Sequence, residues 1–182
     1  MGMEASERDL SGTVIALHGI PPHPLHMAGM IPPNALKELQ QATEGTAPVH
    51  VQISLHMENG KLRVEGRVTG VVSLICPRCL NRFEQPLLAE VEREYVAGKD
   101  PANLTRESEM VDDIVHLADG IFSVKRMAEE EMILALPMIP LCRDDCRGLC
   151  TVCGADLSRN PCSCAPPPDD GPFAALKKLK GG

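Results

Sequence analysis

The residues of this 182-residue chain best suited to chemistry are its eight cysteines, in four close pairs: Cys76-x-x-Cys79, Cys142-x-x-x-Cys146, Cys150-x-x-Cys153 and Cys162-x-Cys164. A two-residue gap lets both sulfurs of a turn face one ion, and zinc takes four such thiolates in a tetrahedron. Two sites of four ligands use every thiol. Cys150, Cys153, Cys162 and Cys164 are close enough in sequence to close one site locally, which leaves Cys76 and Cys79 to be joined by Cys142 and Cys146. This pairing follows from economy and loop closure. Protein would then fill every coordination position, so two zinc ions are expected in a structural role, with no open position for water. A CxxC pair in a cytosolic protein can instead be a dithiol switch. That reading stays open, although its usual setting is a βαβ unit with the first Cys at a helix N-terminus, whereas Cys76-x-x-Cys79 falls between two strand-like segments.

Reading thiols as ligands depends on the compartment. Glu4, Glu7, Arg8 and Asp9 stand where a secretory leader would place a basic region and an apolar run. The longest strongly apolar stretch, Met132 to Leu141, is about half of the ~20 residues that a membrane span needs and contains Pro137 and Pro140. A soluble, cytoplasmic protein without membrane attachment is therefore expected, and in a reducing compartment eight thiols do not make a disulfide framework.

The elements that must position these cysteines are legible from residue 49 onward. Val49, Val51, Ile53, Leu55 and Met57 alternate with polar residues, the period of a strand with one buried face. Asn59-Gly60 supplies a tight hairpin turn. A return strand carries Leu62, Val64, Val68, Val72 and Leu74 on one face, with Gly66 and Gly70 marking bulges or bends. After Cys79, a third strand runs from about Arg82 to Val96, and Asp113 to Leu117 is a fourth, short candidate. Val124, Ala128, Met132 and Leu136 then recur four apart, which predicts a helix over 122–136 stopped by Pro137. Residues 142–164 hold six of the cysteines with almost no periodicity, so order there must come from metal. Before residue 49 the pattern is weaker: a strand at Val14 to Leu17, an extended loop over the five prolines between Pro21 and Pro33, and a short helix from Asn34 to Thr43.

Together these predict a mainly β (α+β) fold: an antiparallel β-meander or small open barrel, one helix, and a cysteine-rich zinc-bound C-terminal tail. The chain divides into an N-terminal segment of loose strand and helix elements (1–48), a meander-plus-helix core (49–141) and a zinc-binding tail with a basic end (142–182).

Composition excludes other classes. Three Phe, one Tyr and no Trp leave no stacking platform for bases. A formal net charge of −7 argues against gripping phosphate through positive field. There is no Gly-rich phosphate loop and no nucleophile elbow, so neither an enzyme nor a small-molecule substrate is expected.

Several motifs, taken in order, are similar to the YceD family, the large ribosomal RNA subunit accumulation proteins of bacteria and plastids. They are Val68 to Cys79 ending in Cys76-Pro77-Arg78-Cys79, then Glu131-Met132-Ile133-Leu134-Ala135-Leu136-Pro137, then Gly148-Leu149-Cys150 within Cys142 to Cys153. Cys153-Gly154-Ala155-Asp156-Leu157, Cys162-x-Cys164 and Pro172 to Leu179 follow. The resemblance covers roughly residues 49–180; relatives often carry Asp-Pro-Arg-Trp where this chain has Asp170-Gly171-Pro172-Phe173. It implies a non-enzymatic role in the synthesis, processing or stability of large-subunit (23S) rRNA and in ribosome assembly. Pre-large-subunit particles or ribosomal proteins are the partners it implies, with direct RNA contact left open. The alternatives are the thiol redox protein and a zinc-dependent protein-interaction module.

Other candidates have plainer readings. His50 and His56 fall on the polar face of a strand and are expected to be solvated. Glu131 is expected to be solvated or ion-paired. Residues 104–131 carry eight acids and three bases, a solvated acidic face or a surface for a basic partner. Phe173, Leu176 and Leu179, with Lys177, Lys178 and Lys180, make a basic amphipathic end that could dock on a protein or on rRNA, or cover the protein's own core.

Overall fold

The computed structural model describes residues 8–21, 23–98, 114–160 and 162–165. The fold is a mixed α/β arrangement around one large sheet. Its centre is three long strands, β4 (Val49–Glu58), β5 (Lys61–Ile75) and β6 (Arg82–Ala97), paired antiparallel in unbroken register. The alternation read from the sequence is the alternation of burial: Val49, Val51 and Leu55 on β4 and Leu62, Val64, Val68 and Val72 on β5 are fully buried, while their neighbours face outward. Asn59 and Gly60 both take positive φ, 51° and 78°, as the two-residue turn between twisted strands requires.

Gly66 and Gly70 make close approaches without a bulge. Gly66 pairs with Ile53 on one side and Val91 on the other, and an added Cβ would meet the Gln52 carbonyl oxygen and Ile53 Cα. At Gly70 the missing side chain leaves room for the Met132 methyl, which would stand 3.0 Å from a Cβ. The glycines let neighbouring backbone and helix close on the sheet.

The order of the large sheet is β2 (Leu25–Ile31), β4, β5, β6 and β7 (Ile114–Leu117), with the two-residue β3 (Gly45–Thr46) on β5. The structure departs from the sequence expectations in three further respects. The segment between Pro21 and Pro33 is no extended loop, because β2 (Leu25–Ile31) pairs with β4 along its whole length and buries Ile31. Pro24 and Pro32 flank the strand, where no ladder donor is lost. The sheet is not antiparallel throughout, since β7 (Ile114–Leu117) pairs parallel to β6, as a long connection allows. The one-helix architecture gives way to two helices, because α1 (Lys37–Ala42), within the short helix read from Asn34 to Thr43, accompanies α2 (Val124–Leu134); the strand path has two ends, so the described residues form an open sheet and no barrel. The polar connection read over 98–110 lies almost wholly outside the described residues.

β1 (Val14–Ala16) and β8 (Ile121–Ser123) form a second, two-stranded sheet beside the start of α2. Ser123 caps α2, its Oγ accepting from the Arg126 N–H at 3.3 Å. Val124, Met127, Ala128 and Met132 are buried in the core with the inner faces of β4, β5 and β6. The buried Glu129 of α2 takes the place of a cap for α1, its Oε1 accepting from the Glu38 and Leu39 N–H groups at 2.7 and 3.1 Å. Glu131 is ion-paired, accepting from Arg93 Nε at 2.8 Å. Among the described residues no helix is long and apolar enough to cross a membrane.

Candidate metal centres

The hairpin between β5 and β6 ends in a knuckle. The Leu80 N–H donates to the Cys76 carbonyl at 2.8 Å, the Cys76 N–H to the Asn81 carbonyl at 3.0 Å, and Leu80 takes φ 59°. The same pattern recurs at the second CxxC. There the Gly154 N–H donates to the Cys150 carbonyl at 2.9 Å, the Cys150 N–H to the Ala155 carbonyl at 2.8 Å, and Gly154 takes φ 73°. Each turn aims two sulfurs to one side, and the residue after the second Cys must adopt the left-handed region, which costs Leu80 what it spares Gly154.

Each knuckle is met by a second pair of thiols. Cys76, Cys79, Cys142 and Cys146 come together, as do Cys150, Cys153, Cys162 and Cys164, and within each group all four sulfurs lie within 4.8 Å of one another. The Cys76–Cys146 and Cys79–Cys142 sulfurs are 3.8 and 3.6 Å apart. A disulfide needs about 2.05 Å, and all eight cysteines are free. A tetrahedron of sulfurs at about 2.3 Å from a central zinc has edges of ~3.8 Å, so the first group fits that ion. Both groups can hold a metal ion.

Their surroundings differ. Cys76, Cys79 and Cys146 are buried, with Phe83, Leu141 and Leu149 packed against them. Cys153 and Cys164 of the second group are exposed.

Burial, backbone donors and hydrogen bonds between neighbouring thiols make ionisation uneven within each group. Burial works against the Cys76 anion, but backbone N–H donors from Cys142, Cys79 and Arg78 outweigh it and lower the thiol to about 6. Cys150 is likewise lowered to about 6 by backbone donors from Cys153 and Val152. Burial, and then the neighbouring thiols, push Cys142 up to about 12. Cys164 is pushed up to about 12 by Cys153 and then by burial. A divalent ion would remove this unevenness by favouring the anion at every ligand.

The residues that tie the two groups together were missed by sequence reasoning. Asn81 Nδ2 donates to Cys79 Sγ at 3.3 Å and to Asp156 Oδ2 at 2.7 Å. Arg78 Nη1 donates to the Cys146 carbonyl at 3.0 Å. An Asn just after a CxxC is the only local signal. Among the histidines singled out, His56 Nε2 lies 3.9 Å from a Glu58 carboxylate oxygen and His50 is exposed, and neither joins a ligand group among the described residues. The lysine-rich end at 173–180 lies outside the described residues, as do residues 104–113 of the acidic stretch.

A family model, Large ribosomal RNA subunit accumulation protein YceD, matches residues 64–180, more than half of the chain. The chain is 28% identical over 159 residues to the Large ribosomal RNA subunit accumulation protein YCED homolog 1, chloroplastic, of Zea mays, covering 74% of this chain and 53% of the relative. It is 26% identical over 118 residues to an uncharacterized protein of Mycobacterium leprae, covering 65% and 53%. An uncharacterized protein of Mycobacterium tuberculosis is 30% identical over 146 residues, covering 71% and 67%. The chain thus spans about half the length of the maize and M. leprae relatives. No solved structure matches. The matched span begins within β5, crosses both knuckles and takes in all eight cysteines, and the chain belongs to the YceD family.

Proposed function

We propose that this chain is a non-enzymatic factor for the synthesis, processing or stability of large-subunit rRNA, acting in the cytoplasm on pre-large-subunit particles. The match to the YceD family across 64–180 carries this reading. The name of the maize relative points the same way.

In this reading Cys76, Cys79, Cys142 and Cys146 hold one zinc ion and Cys150, Cys153, Cys162 and Cys164 a second. Bound zinc supplies a divalent charge that keeps the thiolates ionised and cross-links the chain. The protein's own part is to present two preformed turns and, at the first group, an apolar enclosure. A dithiol redox role is less well supported, because Cys76 and Cys79 sit on a hairpin in a group of four and not at a helix N-terminus.

The partner in this reading is a protein surface of the precursor particle. Two ions and eight thiolates would add eight negative and four positive charges, taking the formal −7 to −11. A sucrose-gradient profile of cells lacking the protein is expected to lose mature large subunits and accumulate precursors. Normal profiles with normal rRNA levels would overturn the proposal.

A further inference from the structure

The loop that carries the second cysteine group lies on the knuckle of the first. The Leu149 N–H donates to the Arg78 carbonyl at 3.0 Å. Gly148, at φ 72°, permits that approach, since a Cβ there would stand 2.9 Å from the Arg78 carbonyl oxygen. Asn81 adds a side-chain link, spending one amide hydrogen on Cys79 Sγ and the other on Asp156. Asp156 in turn builds the turn that leads into Cys162: its Oδ1 accepts from the Ser158 N–H at 2.9 Å and its carbonyl from the Asn160 N–H at 2.7 Å.

We propose that the two groups load metal cooperatively and that Asn81 is the positioning residue that couples them; this rests on the zinc reading above. Metal in the first group would fix the position of Cys79 Sγ, and with it the Asn81 amide that donates to that sulfur and the aim of its second donor at Asp156. Asp156, once fixed, orders the turn before Cys162. Whichever group loads first pays for ordering the shared contacts, and the other binds to a loop already in place. Coupling of this kind is reciprocal.

The test titrates the reduced, metal-free full chain with Co²⁺, whose visible absorption reports four-thiolate coordination, and counts ions per chain by native mass spectrometry at half saturation. Wild type is expected to pass from empty to doubly loaded with little singly loaded chain. Asn81→Leu, and separately Asp156→Ala, should still bind two ions but accumulate the singly loaded species. Blocking either group by paired Cys→Ser substitutions should weaken the other by the same factor, about 5- to 150-fold for ordinary coupling energies. Two four-thiolate ions bound independently, with equal singly loaded fractions in wild type and Asn81→Leu, would overturn the coupling and leave the zinc reading standing. No four-thiolate absorption in wild type would overturn both.

Discussion

Asn81 and Asp156 lie 75 positions apart in sequence, and their side chains meet at 2.7 Å. Asn81 closes the first knuckle and Asp156 directly follows the second, so the bond joins the hairpin end of the large sheet to the cysteine-rich segment. With Leu149 N–H on the Arg78 carbonyl, it makes the second group a continuation of the first.

Two zinc ions per chain are expected in protein purified without added metal, and their loss should not be equivalent. Cys76 is fully buried and, with Cys142, closes a loop that contains β6, β7 and α2, whereas Cys150 and Cys162 close a short one. Each doubling of loop length adds about 0.6 kcal/mol to the restraint on the unfolded chain. The two loops differ by more than two doublings, which favours the first site by about 1–2 kcal/mol. Cys76→Ser should therefore lower the melting temperature by several degrees more than Cys162→Ser, at about 2–4 °C per kcal/mol for a chain of this size. Zinc near zero with eight freely titrating thiols, or the opposite order of melting temperatures, would refute this assignment.

Glu129 offers a test of the helix pair. Its carboxylate is buried and accepts two backbone N–H groups at the start of α1. Glu129→Ala leaves both donors without a partner, at a cost of about 1–3 kcal/mol. Glu129→Gln keeps a carbonyl acceptor and should cost clearly less. Urea unfolding of the two variants checks the order, and equal midpoints would show that α1 does not depend on this cap.

Much of the scaffold was legible because it is local. Alternation over 49–57 and 62–74, the Asn59-Gly60 turn and the four-residue spacing on α2 are short-range patterns set by one buried face. β2 was hidden although Leu25, Met27, Gly29 and Ile31 alternate, because the prolines around it spoke for a loop. The parallel return of β7 and the Glu129 cap depend on contacts across long stretches of chain and leave no local mark. The cysteine spacing was legible as chemistry, whereas Asn81 looks like any polar residue until Asp156 is placed beside it.

The pair Lys61–Glu94 carries a pH dependence remote from the cysteines. The 2.8 Å hydrogen bond from Lys61 Nζ holds the Glu94 carboxyl below its ordinary value. A lowered folded value means that the pair's contribution is fully present above the ordinary glutamate range and is lost as pH falls through the lowered value. Carboxyl NMR should find Glu94 titrating below the ordinary glutamate value, and Lys61→Met should return it towards that value. No change on substitution would show that the bond does not persist in solution.

The sharpest functional prediction separates protein contacts from RNA contacts. Binding to bare rRNA through phosphate neutralisation weakens steeply with salt, with a slope set by the number of phosphates met by Lys or Arg. On the sheet's outward face Arg63 and Lys61 are already engaged by Glu58, Glu65, Glu92 and Glu94, and Arg82 by Glu44. The concentrated bases in the sequence are Lys177, Lys178 and Lys180, three charges against a strongly negative whole. Purified protein should therefore bind free large-subunit rRNA weakly at physiological salt, with a salt slope of about three phosphates or fewer. It should nevertheless co-sediment with precursor particles from lysate, and replacing the three lysines should abolish the residual RNA binding while leaving co-sedimentation. Tight, salt-resistant binding to the bare RNA, or loss of co-sedimentation with the lysines, would place rRNA itself as the contact.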